Sequence, residues 1–108
     1  MAGSVIYIAG PYRADTFNGI WDNIREAEKV AIKIWQSGDY ALCPHLNTQL
    51  FDDVAAPEVF LAGGLELLRR CDKVYMMKKW RQSEGAIKEH DLAIELGLEL
   101  VYEVEFDN

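Results

Sequence analysis

The stretch Ser4-Val5-Ile6-Tyr7-Ile8-Ala9 carries no charge, is rich in β-branched residues and stops at Gly10-Pro11. A strand this continuously apolar is covered on both faces, as in the centre of a parallel sheet. Its neighbours must then arrive by crossovers, and the next segment is one. From Asn18 to Gln36, apolar residues recur at Ile20, Trp21, Ile24, Ala27, Val30, Ala31, Ile34 and Trp35, while Asp22, Arg25, Glu26, Lys29 and Lys33 fall elsewhere. This predicts an amphipathic helix closed by Gly38. Tyr40 to Pro44 reads as a second strand, with Pro44 near its finish because proline removes a ladder donor.

Residues 45–56 show no sustained period and read as a loop with one helical turn around Thr48 to Asp52. Pro57 then opens a helical segment in which Phe60, Leu61, Leu65, Leu67, Leu68 and Cys71 recur. Gly63-Gly64 weakens that helix by about 1 kcal/mol per glycine relative to Ala, which implies close packing or a kink. Lys73 to Met77 is a third strand, Ser83 caps a helix to about Leu96, Gly97 stops it, and Glu99 to Glu103 is the last strand. The alternation predicts an α/β fold, a three-layer α/β/α sandwich on a flavodoxin-like parallel sheet of four to five strands. In such sheets ligands bind beyond the carboxyl ends of the strands, so the loops after Ala9, Pro44 and Met77 matter most.

With 108 residues, half of them apolar, the chain has enough for one core and too little for two, and residues 1–108 read as a single domain. Eighteen acidic against eleven basic residues give a net charge of −7, which argues against binding a nucleic-acid polymer. Lys78-Lys79-Trp80-Arg81 is the one basic patch, and it could serve a small anionic ligand. No run reaches the ~20 apolar residues of a membrane span, and the N-terminus lacks the pattern of a secretory signal, so a cytoplasmic protein is expected. Cys43 and Cys71 have no metal-ligand spacing and read as reduced structural thiols; neither a metal nor a cofactor is expected. Trp21, Trp35, Trp80 and the many leucines exceed what one small sheet hides, which points to a homo-oligomer.

The most informative anomaly is Glu89. Residues placed at 100° intervals put it at the centre of the face formed by Gly85, Ala86, Leu92, Ala93 and Leu96. A carboxylate there must be paired, protonated or in use. It reads equally as a functional group and as a buried Glu satisfied by the backbone N–H groups of a nearby loop. Tyr7, two residues before the end of its strand, needs a buried partner for its hydroxyl, and a carboxylate is a good one. Asp72, just before the third strand, has by itself a local, solvated reading. Gly10 permits close backbone approach, Arg13 could take a phosphate bidentately, and a loop histidine such as His45 is by itself more often incidental.

Three segments together, Ile6 to Arg13, Cys71-Asp72-Lys73-Val74 and Trp80 to Glu89, resemble the nucleoside 2-deoxyribosyltransferase superfamily, and within it the small branch known as DUF4406. The resemblance runs from Val5 to Glu103. It implies that Glu89 is the nucleophile that attacks the anomeric carbon, that Tyr7 orients it, and that Asp72 protonates the departing base. Ser83 stands where the Rcl-like nucleoside 5'-monophosphate N-hydrolases have a phosphate-contacting Ser and where the transferases have an Asp. By the same comparison Arg13 matches an Arg of the phosphate-binding loop and His45 a substrate-site histidine after the second strand; Gly10 and Pro11 stand beside Arg13 at the ligand edge, and the small residues Gly85 and Ala86 leave space before Glu89 at a helix start whose unpaired N–H groups suit the same phosphate.

The chemistry is consistent with these roles. Cleaving an N-glycosidic bond through an oxocarbenium-like state calls for a carboxylate at the sugar and an acid at the leaving group, about 5 Å apart in a retaining route. The expected function is therefore an N-glycosidase acting on (deoxy)nucleoside 5'-monophosphates. The alternatives are a nucleoside 2-deoxyribosyltransferase exchanging bases, and a non-catalytic nucleotide-binding module. The expected partner in each case is a small nucleoside or nucleotide, with no membrane.

Overall fold

The computed structural model describes residues 3–104. Strand β1 (Val5–Ala9) is followed by helix α1 (Phe17–Gln36), strand β2 (Tyr40–Leu42), a four-residue helix α2 (Pro44–Asn47) and helix α3 (Pro57–Leu68). Strand β3 (Lys73–Met76), a 3-10 turn (Trp80–Gln82), helix α4 (Glu84–Leu96) and strand β4 (Glu99–Tyr102) complete the order.

The four strands form one parallel sheet in the order β2-β1-β3-β4. Tyr7 stands in register between Leu42 of β2 and Val74 of β3. Strand side chains alternate between faces. Ile6 and Ile8 pack with Ala27, Val30, Ala31 and Ile34 of α1, while Tyr7 and Ala9 pack with Leu68 of α3 and Ala86, Leu92 and Ala93 of α4. The expected three-layer sandwich therefore stands, with α1 on one face and α3 and α4 on the other. After β1 the chain turns to one side to build β2, and it later returns past β1 to build β3. The crevice between the carboxyl ends of β1 and β3 is thus the switch point where ligands enter such sheets.

Local signals explain most boundaries. Thr16 caps α1 through its hydroxyl, which accepts from the Gly19 amide at 3.0 Å, and Ser83 caps α4 through Ala86 at 3.1 Å. Gly97 ends α4 in a left-handed conformation with φ 72°. Three expectations need correction. Pro44 does not close β2. It occupies the first turn of α2, where a missing N–H costs nothing, and the helical turn expected around Thr48 to Asp52 lies at Pro44–Asn47 instead. Cys71 lies beyond the end of α3, in the turn to β3, with its thiol donating to the Leu67 carbonyl at 3.4 Å.

Lys78, Lys79 and Arg81 of the basic patch are exposed, whereas its aromatic residue is not. Trp80 turns inward and stacks on His90 with ring centroids 4.3 Å apart, and the Arg81 guanidinium lies over the Trp80 ring. Trp21 and Trp35 flank the buried stripe of α1 and remain exposed. No helix among the described residues is long and apolar enough to cross a membrane.

Candidate active site

A cavity of about 500 Å³ opens at the switch point, well within the range for small-molecule sites. Its walls come from the segment after β1, from α2 and the chain following it, from the first turns of α3, and from the start of α4. Of the ten residues singled out in the sequence, nine line it: Tyr7, Gly10, Pro11, Arg13, His45, Ser83, Gly85, Ala86 and Glu89.

At its floor the Tyr7 hydroxyl donates to Oε2 of Glu89. The partner of the anomalous carboxyl is thus a side chain from the central strand, not the backbone of a loop. Tyr7 is wholly buried, and Glu89 reaches it from the face of α4 that also buries Ala86 and Ala93. Burial pushes the Glu89 carboxyl up to about 7, and the Tyr7 hydrogen bond works in the opposite direction. Tyr7 itself is held far above the ordinary phenol range, first by burial and then by the neighbouring carboxylate charge. It therefore acts as a permanent donor.

The segment after β1 is braced from three sides. Gly10 packs so closely on Met77 that an added Cβ would lie 2.8 Å from the Met77 Cβ. His45 Nε2 donates to the Pro11 carbonyl at 2.8 Å, and burial lowers the pKa of the ring, favouring its neutral form. With Nε2 carrying the proton, Nδ1 is an acceptor, and it has no partner among the described residues. Asn23 Nδ2 donates to the carbonyls of Tyr12 and Arg13. His45 is thus a structural brace of the cavity as well as part of its lining. Arg13 is exposed at the rim.

Ser83 begins α4 at the cavity wall. Its hydroxyl satisfies the Ala86 amide, and helix geometry leaves the first amides of α4, at Glu84 and Gly85, without intrahelical acceptors. An anion could be held there. The surrounding charge is nonetheless acidic. Arg13 and Lys88 face Asp52, Glu58, Glu84 and Glu89, whereas Lys78, Lys79 and Arg81 do not line the cavity.

Asp72 is not part of the site. It precedes β3, at the amino-terminal edge of the sheet. Four strand residues at about 3.3 Å each separate that edge from the carboxyl ends. Exposed there, it accepts from the Val5 amide at 2.8 Å and donates its own amide to the Val5 carbonyl at 2.9 Å. These two bonds extend the β1–β3 ladder, so the local reading of this residue holds and the leaving-group role does not.

Sequence reasoning gave no role to Tyr12 and Asp52. The Tyr12 hydroxyl donates to Asp52 Oδ1 and accepts from the Leu50 amide, both at 3.0 Å, pinning the segment after α2 across the cavity mouth. Tyr12 stands beside Gly10-Pro11, but no spacing in the sequence indicates a partner forty positions away. Among the described residues no cluster of His, Cys, Asp and Glu could hold a metal ion.

Comparisons with known proteins agree with this architecture. A 2-deoxyribosyltransferase from the psychrotolerant bacterium Bacillus psychrosaccharolyticus superposes with a TM-score of 0.71 at 16% identity, over 97% of this chain and 77% of that one. A 2-deoxyribosyltransferase from Leishmania mexicana superposes with a TM-score of 0.66 at 20% identity, over 92% of this chain and 63% of that one. The chain thus spans less than two thirds of the Leishmania protein, and these likenesses establish a shared fold. No curated protein sequence matches it. The family model of DUF4406, a domain of unknown function, matches residues 4–102, and the chain belongs to that family.

Proposed function

We propose that this protein cleaves the N-glycosidic bond of a (deoxy)nucleoside 5'-monophosphate, with Glu89 as nucleophile and Tyr7 as its orienting donor. The observation that carries this reading is the Tyr7–Glu89 pair at the floor of a cavity at the carboxyl edge of the sheet. Tyr7 occupies Oε2 and leaves Oε1 for the anomeric carbon. Attack by the ionised carboxylate forms a glycosyl ester as the C–N bond breaks, and water then hydrolyses the ester to free sugar phosphate and regenerate Glu89. The base leaves with a proton, for which Asp52 and Glu58 of the cavity lining are the candidate donors. Arg13 and the free amides at the start of α4 take the phosphate. The fold shared with 2-deoxyribosyltransferases supports the choice of bond.

A second reading, base exchange on an unphosphorylated nucleoside, is favoured by one observation: four carboxyl groups against two cations line the cavity. Chromatography of free base separates the two readings. Wild type and Glu89→Ala are incubated with ribo- and deoxyribonucleosides and their 5'-monophosphates, with and without a second base. Release from monophosphates by wild type alone supports hydrolysis, and exchange that requires an acceptor supports transfer. A shift in melting temperature without any release would make the protein a nucleotide-binding module.

The proposal includes a homo-oligomer. Trp35 is 57% exposed and its ring lies 5.7 Å from that of Tyr40, an apolar surface that a second copy would cover. Light scattering in solution tests this.

A further inference from the structure

Helix α3 carries two adjacent glycines, and their surroundings differ sharply. Gly63 is exposed, and nothing lies within 4 Å of where its Cβ would stand. Gly64 is buried, and a Cβ there would lie 2.8 Å from the Tyr7 hydroxyl oxygen, 3.6 Å from Glu89 Oε2 and 4.0 Å from the Tyr7 ring carbon Cζ. Neither glycine has a positive φ, so backbone freedom is not what requires a glycine at 64. Glycine disfavours the helix it occupies. At position 64 that cost is offset by a close approach that a side chain would prevent: the α3 backbone lies directly against the phenol–carboxylate pair.

We propose that Gly64 is a positioning residue for Glu89: by lacking a side chain it lets α3 close over the Tyr7 hydroxyl and hold it on Oε2. The phenol then sits between the α4 carboxyl on one side and the α3 backbone on the other. Its ring is locked in the core with Leu68, Val74 and Ala86, so it cannot swing away to make room. A methyl group at 64 must displace the hydroxyl, move α3 outward, or both. Of the atoms the new carbon would meet, the Tyr7 oxygen alone lies inside ordinary contact distance. The strain therefore belongs to that oxygen and disappears with it. The functional meaning of this arrangement rests on Glu89 being the reacting carboxyl, whereas the contact itself does not.

The test uses the full chain and four variants: Gly63→Ala, Gly64→Ala, Tyr7→Phe and the Gly64→Ala/Tyr7→Phe double variant. Two quantities are read without substrate, the thermal midpoint and the titration of the Glu89 carboxyl by carbon-13 NMR. Gly63→Ala is expected to raise the midpoint and leave the titration unchanged. Gly64→Ala is expected to lower the midpoint and move the titration to higher pH, in the direction of Tyr7→Phe, because the carboxyl loses its donor. In the Tyr7→Phe background the same alanine should carry no penalty and add no further titration shift. Should Gly64→Ala alone fail to fold, the double variant still decides, since it lacks the clash. Gly64→Ala behaving like Gly63→Ala, or an undiminished penalty in the Tyr7→Phe background, overturns the proposal. These readouts stand whether or not the protein releases base. In an enzyme that does, Gly64→Ala lowers kcat with little change in KM, and Gly63→Ala changes neither.

Discussion

The Tyr7 hydroxyl on β1 donates to Glu89 Oε2 on α4, joining residues 82 positions apart at the floor of the cavity. Each residue explains the other. A phenol buried in a central strand needs an acceptor, and a carboxyl on the sheet-facing side of a helix needs a donor. The pair leaves a carboxyl that titrates near neutrality, with one oxygen held in place, at the position where a parallel sheet receives its ligands.

Stability should fall as pH rises through the range in which Glu89 ionises. Its folded value of about 7 lies above the ordinary glutamate value of 4.5, so the folded chain retains a proton that the unfolded chain has lost. That contribution is complete below about pH 4 and is lost as pH rises through 7, for a total of roughly 3 kcal/mol. Glu89→Gln has no such proton and should match wild type near pH 4. At pH 8 it should be the more stable protein, by up to about 3 kcal/mol in urea titrations, while releasing no base.

Tyr7→Phe tests the orienting bond. Base release by wild type should rise as pH increases through about 7, because the nucleophile must be ionised. The phenol favours the ionised carboxyl, so its removal should move that limb about 1 pH unit or more to the alkaline side and lower kcat. An unchanged profile would separate Tyr7 from the chemistry.

Ser83 offers a test of phosphate recognition that is independent of folding. Ser83→Ala removes the α4 cap and should cost about 1 kcal/mol. Ser83→Asp keeps a capping oxygen but sets a negative charge beside the proposed phosphate site. It should retain wild-type stability and lose turnover of monophosphates while sparing unphosphorylated nucleosides. Equal loss on both substrates would place the phosphate elsewhere.

Asp72→Ala should have the opposite pattern. Its carboxylate ties the start of β1, so the variant should lose about 1 kcal/mol of stability. Base release by the folded protein should be unchanged, as measured by kcat/KM per native molecule.

Much of this was legible in the sequence because strong local signals agreed with the global fold. The apolar run of β1, the capping Ser83 and the terminating Gly97 each act within a few residues, and each stands where expected. Glu89 was legible as a violation of its helix's pattern, and Gly63-Gly64 as a propensity cost awaiting a reason. Asp72 was misplaced through the family resemblance, although its own position argued otherwise: a residue that precedes a parallel strand lies at the edge away from the ligand. Pro44 was misread because a proline that ends a strand and one that opens a helix look alike until the next turn is seen. The bonds from Tyr12 to Asp52 and from His45 to Pro11 were not legible, since they join segments distant in sequence whose approach is set by the packing of α1 and α2.

The central claim, that Glu89 attacks the sugar, is tested most directly by acid-quenched intact-mass spectrometry of the protein mixed with the monophosphate that yields base. Wild type should gain the mass of one sugar phosphate less one water, mapped to the peptide containing Glu89, and Glu89→Gln should gain none. Base release that continues undiminished in Glu89→Gln, with no adduct on wild type, would contradict the account.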